Sequence, residues 1–325
     1  MACNNSSCPD VDCLMKLYYL PISYSLIFIV GLVGNITSIS IYLTKLRPLK
    51  SSNIIMINLA LTDLLYVLTM PFLVYYYSNG DSWELGDSMC RFVRFGFHFH
   101  LYASILFLTC HAVFRYVVVS QPLRSAEVQE RVWGIAACSS VWVITAAVTT
   151  PMIRFFSLDN ETHCLDFASI DPDMVREYSW MLTAFGFLLP LVVVFICYIG
   201  IMKQLARGPN TTSPCRMRAR RVVVLILVVF VICFLPYHIM RVLRIETQRN
   251  YTTPCTKRIV HAAYIISRPL AGINTFFNLA LYTLSGNKFR RAFLSIFYRE
   301  SWLNKARSLL HLPVINRAGG DMPAA

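Results

Sequence analysis

Seven long runs of apolar residues, separated by short polar stretches, dominate the hydrophobic pattern of the chain. They cover residues 19–43, 53–77, 89–119, 132–153, 178–205, 222–243 and 259–284. A helix needs about 20 apolar residues to cross a bilayer, and each run provides them. The alternating short segments of a membrane β-barrel are missing, and lipid leaves a helical bundle as the structure that satisfies the backbone.

A shorter amphipathic stretch, residues 287–298, follows the seventh run. The pattern therefore predicts an all-α membrane protein, a seven-transmembrane helix bundle with a short amphipathic eighth helix. It divides the chain into an extracellular N-terminus (residues 1–18), the bundle with helix 8 (19–298) and a cytoplasmic tail (299–325). Composition agrees, because 14% of the residues are charged and a soluble domain carries about 25%.

Basic residues in the loops orient this bundle, because Lys and Arg concentrate on the cytoplasmic side of membrane proteins. They cluster after runs one, three, five and seven, for example Lys45, Arg131 and Lys288, whereas Lys16 alone precedes the first run. We expect a multi-pass plasma-membrane protein with its N-terminus outside the cell. The net charge of +13 is spread over several loops, which favours contact with anionic lipid over nucleic acid.

The cysteines and glycosylation motifs fit this orientation. Disulfides form outside the cell, and we expect Cys90 to pair with Cys164 and Cys255 to pair with one of the three N-terminal cysteines, although sequence alone leaves the pairing ambiguous. Asn-X-Ser/Thr motifs on the predicted outer side begin at Asn4, Asn5, Asn160 and Asn250.

Buried ionisable residues are costly in a membrane and indicate functional sites. Asp63 lies in the middle of run two, and Asn35, Ser104, Asn274 and Asn278 lie at comparable depth. A carboxylate among these oxygens predicts a sodium site, with a neutral or water-bridged core carboxyl as the alternative. Pro190 and Pro236 interrupt runs five and six, where they serve either as hinges or as static bends.

A cationic cluster occupies the outer part of the bundle. Arg94 and His98 share one face of run three, because residues four apart are neighbours on a helix. The other members are Tyr24, Tyr77, His238, Arg241, Tyr264 and Arg268. Arg side chains bind carboxylates and phosphates through paired hydrogen bonds, so the cluster predicts an anion site. Asp166 is a candidate counter-charge, and Arg91 and Arg244 fit a role as interfacial cations.

These residues resemble those of the rhodopsin-like (class A) G-protein-coupled receptors. The resemblance covers residues 19–298 and rests on Gly34-Asn35, Leu59-Ala60-Leu61-Thr62-Asp63, Cys90, Phe114-Arg115-Tyr116, Trp142, Pro190, Tyr198, Cys233-Phe234-Leu235-Pro236 and Asn278-Leu279-Ala280-Leu281-Tyr282. Two positions depart from the family: Phe114 replaces an acid that restrains Arg115, and Leu279 replaces a proline. The first departure weakens the expected resting restraint, and the second predicts a straighter seventh helix.

Within the family, the chain is similar to the purinergic-receptor-like branch and to its receptors for small dicarboxylates, on Ile265-Ile266-Ser267-Arg268-Pro269-Leu270-Ala271 and His238-Ile239-Met240-Arg241. The resemblance implies a 2-oxoglutarate-like ligand, with succinate, a nucleotide or a cysteinyl leukotriene as alternatives. The implied ligand residues are Arg94, His98, Arg241, Arg268, Tyr24, Tyr77 and Tyr264.

The resemblance also implies signalling through a heterotrimeric G protein of the Gq type. Arg115, Tyr198 and Tyr282 would form the switch beneath that protein, and Pro122 would help to dock it. We expect no cofactor and no catalysis, because the sequence shows no metal-ligand spacing beyond the possible sodium at Asp63 and no nucleophile–base motif. A transporter is a distant alternative, but the chain shows no repeated halves.

Overall fold

The computed structural model describes residues 15–121, 124–156, 158–159, 163–169, 171–207, 214–249 and 252–297. Several expectations fall outside these ranges. They concern the N-terminal cysteines, the glycosylation motifs at Asn4, Asn5, Asn160 and Asn250, and the docking residue Pro122.

Eight helices, α1 to α8, form the described part of the molecule. Their bounds are α1, Met15–Lys45; α2, Ser51–Ser78; α3, Gly86–Ser120; α4, Arg131–Thr149 and Thr150–Arg154; α5, Pro172–Thr183, Ala184–Leu188 and Leu189–Arg207; α6, Pro214–Val229, Phe230–Phe234 and Leu235–Arg249; α7, Pro254–Gly272 and Asn274–Ser285; and α8, Asn287–Phe297. A single turn, Ser125–Val128, lies between α3 and α4. Every apolar run of the sequence lies within one of the first seven helices.

Six of the described helices are long and apolar enough to span a membrane. The exception among the seven is α7, whose first segment carries Lys257, Arg258 and Arg268 and whose second segment has 12 residues. Large apolar side chains face outward from the bundle; on α1 these are Ile22, Leu26, Ile29 and Val33, at three- to four-residue spacing. Such a stripe is suited to lipid contact.

The helix geometry changes next to the prolines of α5 and α6. A π-helical turn precedes Pro190, over Ala184–Leu188, and another precedes Pro236, over Phe230–Phe234. Proline cannot donate the usual hydrogen bond, and the turn before it widens instead of simply bending. The helix α7 is interrupted at Ile273, four residues after Pro269, and runs unbroken through Leu279.

The segment between α4 and α5, which we call the second outer loop, lies against the end of the bundle where α3 begins. A two-stranded antiparallel hairpin pairs Leu158–Asp159 (β1) with His163–Cys164 (β2). The predicted disulfide between Cys90 and Cys164 is present and joins this hairpin to the start of α3. It brings Asp166, two residues later, into the bundle, where 5% of its surface remains exposed.

Candidate ligand and switch sites

Two arginines on different helices converge on one phenol near the mouth of the bundle. Arg94 of α3 donates to the Tyr77 hydroxyl at 3.3 Å, and Arg268 of α7 donates to the same oxygen at 3.2 Å. The second guanidinium nitrogen of Arg94 donates to the Cys164 carbonyl at 2.7 Å. We call this group, with Tyr24, Tyr264 and Asp166, the outer subsite.

Tyrosine rings form the walls of the outer subsite. The Tyr24 and Tyr77 rings stack with centroids 6.2 Å apart. The Arg268 guanidinium lies over the Tyr77 ring at 5.9 Å and over the Tyr264 ring at 5.4 Å. These contacts fix the guanidinium while leaving it able to bind an anion, because cation–π contacts do not neutralise its charge.

Asp166 is the carboxylate that the protein itself places in the outer subsite. It accepts from the Tyr264 hydroxyl at 2.5 Å, from Arg268 at 3.2 Å and from the Phe167 amide at 2.8 Å. Burial raises the pKa of Asp166, but the Arg268 and Arg94 guanidiniums outweigh burial and hold the pKa below its usual range. The ion pair with Arg268 uses one of the two guanidinium charges, and the outer subsite has one more arginine than it has carboxylates.

Arg241 of α6 belongs to a separate group, which we call the inner subsite. Its guanidinium donates to the Tyr102 hydroxyl at 2.5 Å, the Thr183 hydroxyl at 2.9 Å and the Ser179 carbonyl at 3.2 Å, and it lies over the Tyr237 ring at 5.6 Å. The side chain is fully buried. Among the described residues, none of its hydrogen-bond partners is a carboxylate.

His98 connects the two subsites. Its Nδ1 lies 3.0 Å from the Arg94 carbonyl, and its Nε2 lies 3.1 Å from the Tyr237 hydroxyl. His238 instead bonds its own helix, at the Phe234 carbonyl 2.9 Å away, and stacks on Phe187.

The structure thus brings Tyr24, Tyr77, Arg94, Tyr264 and Arg268 together, and separates Arg241 from them. Sequence reasoning missed Tyr102, Thr183 and Tyr237. Tyr102 follows His98 by four residues, as His98 follows Arg94, so helical spacing could have identified it. The rim arginines Arg91 and Arg244 stay outside both subsites: Arg91 pairs with Asp87, and Arg244 donates to the Lys257 carbonyl.

A cavity of about 260 Å³ opens above the outer subsite. Arg94, Arg268, Tyr77 and Asp166 form its floor, and its rim includes the Lys16–Asp81 ion pair, 2.5 Å long. Burial raises the pKa of Asp81, but Lys16 outweighs burial and lowers it. Pockets for drug-sized ligands measure about 300–1,000 Å³, so this cavity suits a compact anion.

The polar core around Asp63 differs from the predicted constellation. Asp63 accepts from Asn278 at 2.8 Å and contacts Nε2 of His100 at 2.9 Å. Ser104 and Asn274 make no hydrogen bond to it, and the Asn35 amide donates to the Gly31 carbonyl. Sequence reasoning missed His100.

The expected switch residues lie at the end of the bundle opposite the outer subsite. Arg115 donates to Nε2 of His111 and to the Ser285 carbonyl, each at 3.2 Å. The Tyr282 hydroxyl lies 3.5 Å from Asn35 of α1, and Tyr198 is half-buried on α5. A cavity of about 440 Å³ beside Arg115 is also lined by Lys50, Arg218 and Lys288.

Comparison with known proteins places the chain in a family. Residues 34–282 match the 7 transmembrane receptor (rhodopsin family). The chain is 48% identical to 2-oxoglutarate receptor 1 of Mus musculus over 294 residues, which cover 89% of this chain and 87% of that protein. It is 37% identical to a purinoceptor of Gallus gallus over 286 residues, 85% of this chain and 78% of that protein. These proteins are receptors, and they confirm the purinergic-like branch. The chain belongs to the rhodopsin family of seven-transmembrane receptors.

Proposed function

We propose that this receptor binds a small dicarboxylate of the 2-oxoglutarate type and signals through a heterotrimeric G protein. The observation that carries the proposal is the pair of arginines, Arg94 and Arg268, that line one small cavity, together with a fully buried third arginine, Arg241, on α6. The 48% identity to 2-oxoglutarate receptor 1 supports the choice of ligand.

The outer subsite is the first anchor for a carboxylate. Arg94 and Arg268 both point at the Tyr77 hydroxyl, and a carboxylate beside that oxygen would accept from both guanidiniums. Asp166 neutralises one of the two charges, so a single ligand carboxylate completes the balance. A doubly charged phosphate chain would need more cation and more room than this subsite offers.

The inner subsite is the second anchor. Arg241 is buried among neutral oxygens and rings, and an unpaired buried cation is costly. A second carboxylate that reaches Arg241 past His98 would relieve this cost and join α3 to α6. A ligand shifts a receptor only by its differential affinity for two states. A ligand whose two carboxylates bind arginines of α3, α6 and α7 would have a higher affinity for the state in which these helices are closer together.

Movement of α6 is the output of this mechanism. The widened turn before Pro236 lies two turns below Arg241 on the same helix. We infer that pulling Arg241 toward α3 rotates the inner half of α6 about this turn, which enlarges the cavity beside Arg115 for a Gq-type G protein. Pro122, Tyr198 and Tyr282 remain the candidate contacts and switch residues.

The orientation belongs to the same proposal. The disulfide between Cys90 and Cys164 and the cationic cavity lie at one end of the bundle, and Lys50, Arg218 and Lys288 lie at the other. This distribution supports a plasma-membrane receptor with its N-terminus outside the cell and its tail, residues 299–325, inside.

Intracellular calcium in cells that express the chain tests the proposal, with 2-oxoglutarate, succinate and ATP titrated in parallel. We expect 2-oxoglutarate to act at the lowest concentration of the three. Arg268→Ala should lower the potency of 2-oxoglutarate about 100-fold, because the ligand carboxylate loses a charge-assisted hydrogen bond. A Gq inhibitor should remove the signal.

Arg244→Ala is the matched control, since Arg244 lies one turn from Arg241 and contacts the Lys257 carbonyl at the rim. We expect its potency to stay within about threefold of wild type. Full potency in Arg268→Ala, or a response to ATP alone, would contradict the dicarboxylate assignment.

A further inference from the structure

The carboxylate of Asp63 is fully buried in the middle of α2, and N–H donors from two other helices occupy both of its oxygens. Nε2 of His100, on α3, lies 2.9 Å from Oδ1. The Asn278 side-chain amide, on α7, lies 2.8 Å from Oδ2. Because a carboxylate oxygen accepts, this contact is a hydrogen bond when Nε2 carries the ring proton.

The His100 ring is held in place from its other side. It stacks on the Tyr66 ring with centroids 4.2 Å apart and planes 11° from parallel. The imidazole is 2% exposed and cannot leave Asp63 without giving up this stack.

The residues around Asp63 do not fit a bound sodium ion well. A cation that approached the carboxylate from α3 would have to displace the His100 ring, and one from α7 would have to displace the Asn278 amide. The misfit lies at the carboxylate itself, because Ser104 Oγ and Asn274 Oδ1, which were expected to complete a sodium shell, are buried without a hydrogen-bond partner among the described residues and would be open to water as well.

We propose that the His100 imidazole takes the place beside Asp63 that a sodium ion would need, so that the polar core of this receptor is assembled without sodium. The links from α2 to α3 and α7 are then made by two N–H donors that belong to the chain. Coupling across this core does not vary with the sodium concentration on the outer side. The proposal stands apart from the identity of the outer ligand, since it concerns the ligand-free protein.

Thermal unfolding of the purified full-length receptor in lipid nanodiscs tests this proposal. The unfolding midpoint of the wild type is measured in sodium chloride and in equal concentrations of choline chloride, which separates a sodium effect from ionic strength. We expect the two midpoints to coincide at every concentration. A midpoint that rises in sodium but not in choline overturns the proposal.

His100→Asn supplies the complementary measurement, because it removes the ring and provides an amide oxygen beside Asp63. We expect this variant to gain a sodium-specific rise in its midpoint, and the double variant with Asp63→Asn to lose that rise. A His100→Asn protein that remains indifferent to sodium, or a rise that survives Asp63→Asn, would show that the imidazole does not exclude the ion. If His100→Asn does not fold, His100→Gln gives the same comparison. If neither variant folds, the wild-type measurement in sodium and choline decides the proposal.

Discussion

Arg241 makes three hydrogen bonds from one guanidinium, to Tyr102, Thr183 and Ser179. The planar guanidinium, with several N–H donors, can bond to acceptors on both α3 and α5 at once. Its buried Nε–H has no hydrogen-bond partner among the described residues and is the donor that remains for a ligand carboxylate in the proposed complex. The binding energy at this position depends on shape as well as on charge.

Arg241→Lys separates the two contributions. The ammonium keeps the positive charge but cannot hold Tyr102 and Thr183 in the same geometry, so we expect the potency of 2-oxoglutarate to fall about tenfold. Arg241→Ala should lower it about 100-fold, since a ligand carboxylate would then be buried without a partner. Calcium responses normalised to surface expression measure both, and a lysine variant as potent as wild type would show that charge alone matters.

Helices α3 and α7 are joined through Arg115 at the end of the bundle opposite the outer subsite. The family places an acid next to this arginine, and this chain has Phe114 there. In its place, His111 lies one turn earlier on α3 and accepts from the Arg115 Nε–H, while the Ser285 carbonyl at the end of α7 accepts from a second nitrogen. We propose that these two contacts, with His111 and the Ser285 carbonyl, help to restrain Arg115 in the resting state.

His111→Leu tests this restraint. A hydrogen bond to a charged group contributes about 1.5–3 kcal/mol, so its loss should shift the resting equilibrium toward the signalling state by about tenfold or more. We expect raised inositol phosphate accumulation without ligand. Arg115→Ala in the same background should abolish the signal, and a His111→Leu receptor as silent as wild type would assign the restraint to other contacts.

At the scale of the whole molecule, the disulfide between Cys90 and Cys164 ties the segment between α4 and α5 to the start of α3. Two elements of the outer subsite come from this loop: the Cys164 carbonyl that accepts from Arg94, and the Asp166 carboxylate that pairs with Arg268. The loop is part of the proposed ligand site as well as its cover.

Cys90→Ser with Cys164→Ser should affect both stability and signalling. Removal of a disulfide costs about 2–5 kcal/mol in small extracellular domains, so we expect a lower unfolding midpoint for the purified receptor. Release of Asp166 should also lower the potency of 2-oxoglutarate by at least about tenfold. Unchanged potency with a lowered midpoint would limit the role of the loop to stability.

The sequence by itself determined the parts of this protein that depend on local pattern. The seven apolar runs predicted the seven helices to within a few residues, except where α5 and α6 begin six and eight residues earlier, in more polar sequence. Motif residues predicted the family, and cysteine position predicted the Cys90–Cys164 pair. All of these features follow from the amino-acid sequence, because a membrane restricts each apolar run to a helix.

The tertiary structure alone decided which side chains meet across helices. Spacing placed Arg94, Arg241 and Arg268 in one cluster, but the relative rotation of α3, α6 and α7 divides them into two subsites. His100 reaches Asp63 for the same reason: a contact between α2 and α3 depends on how two helices are turned toward each other, and a single run of sequence does not contain that angle.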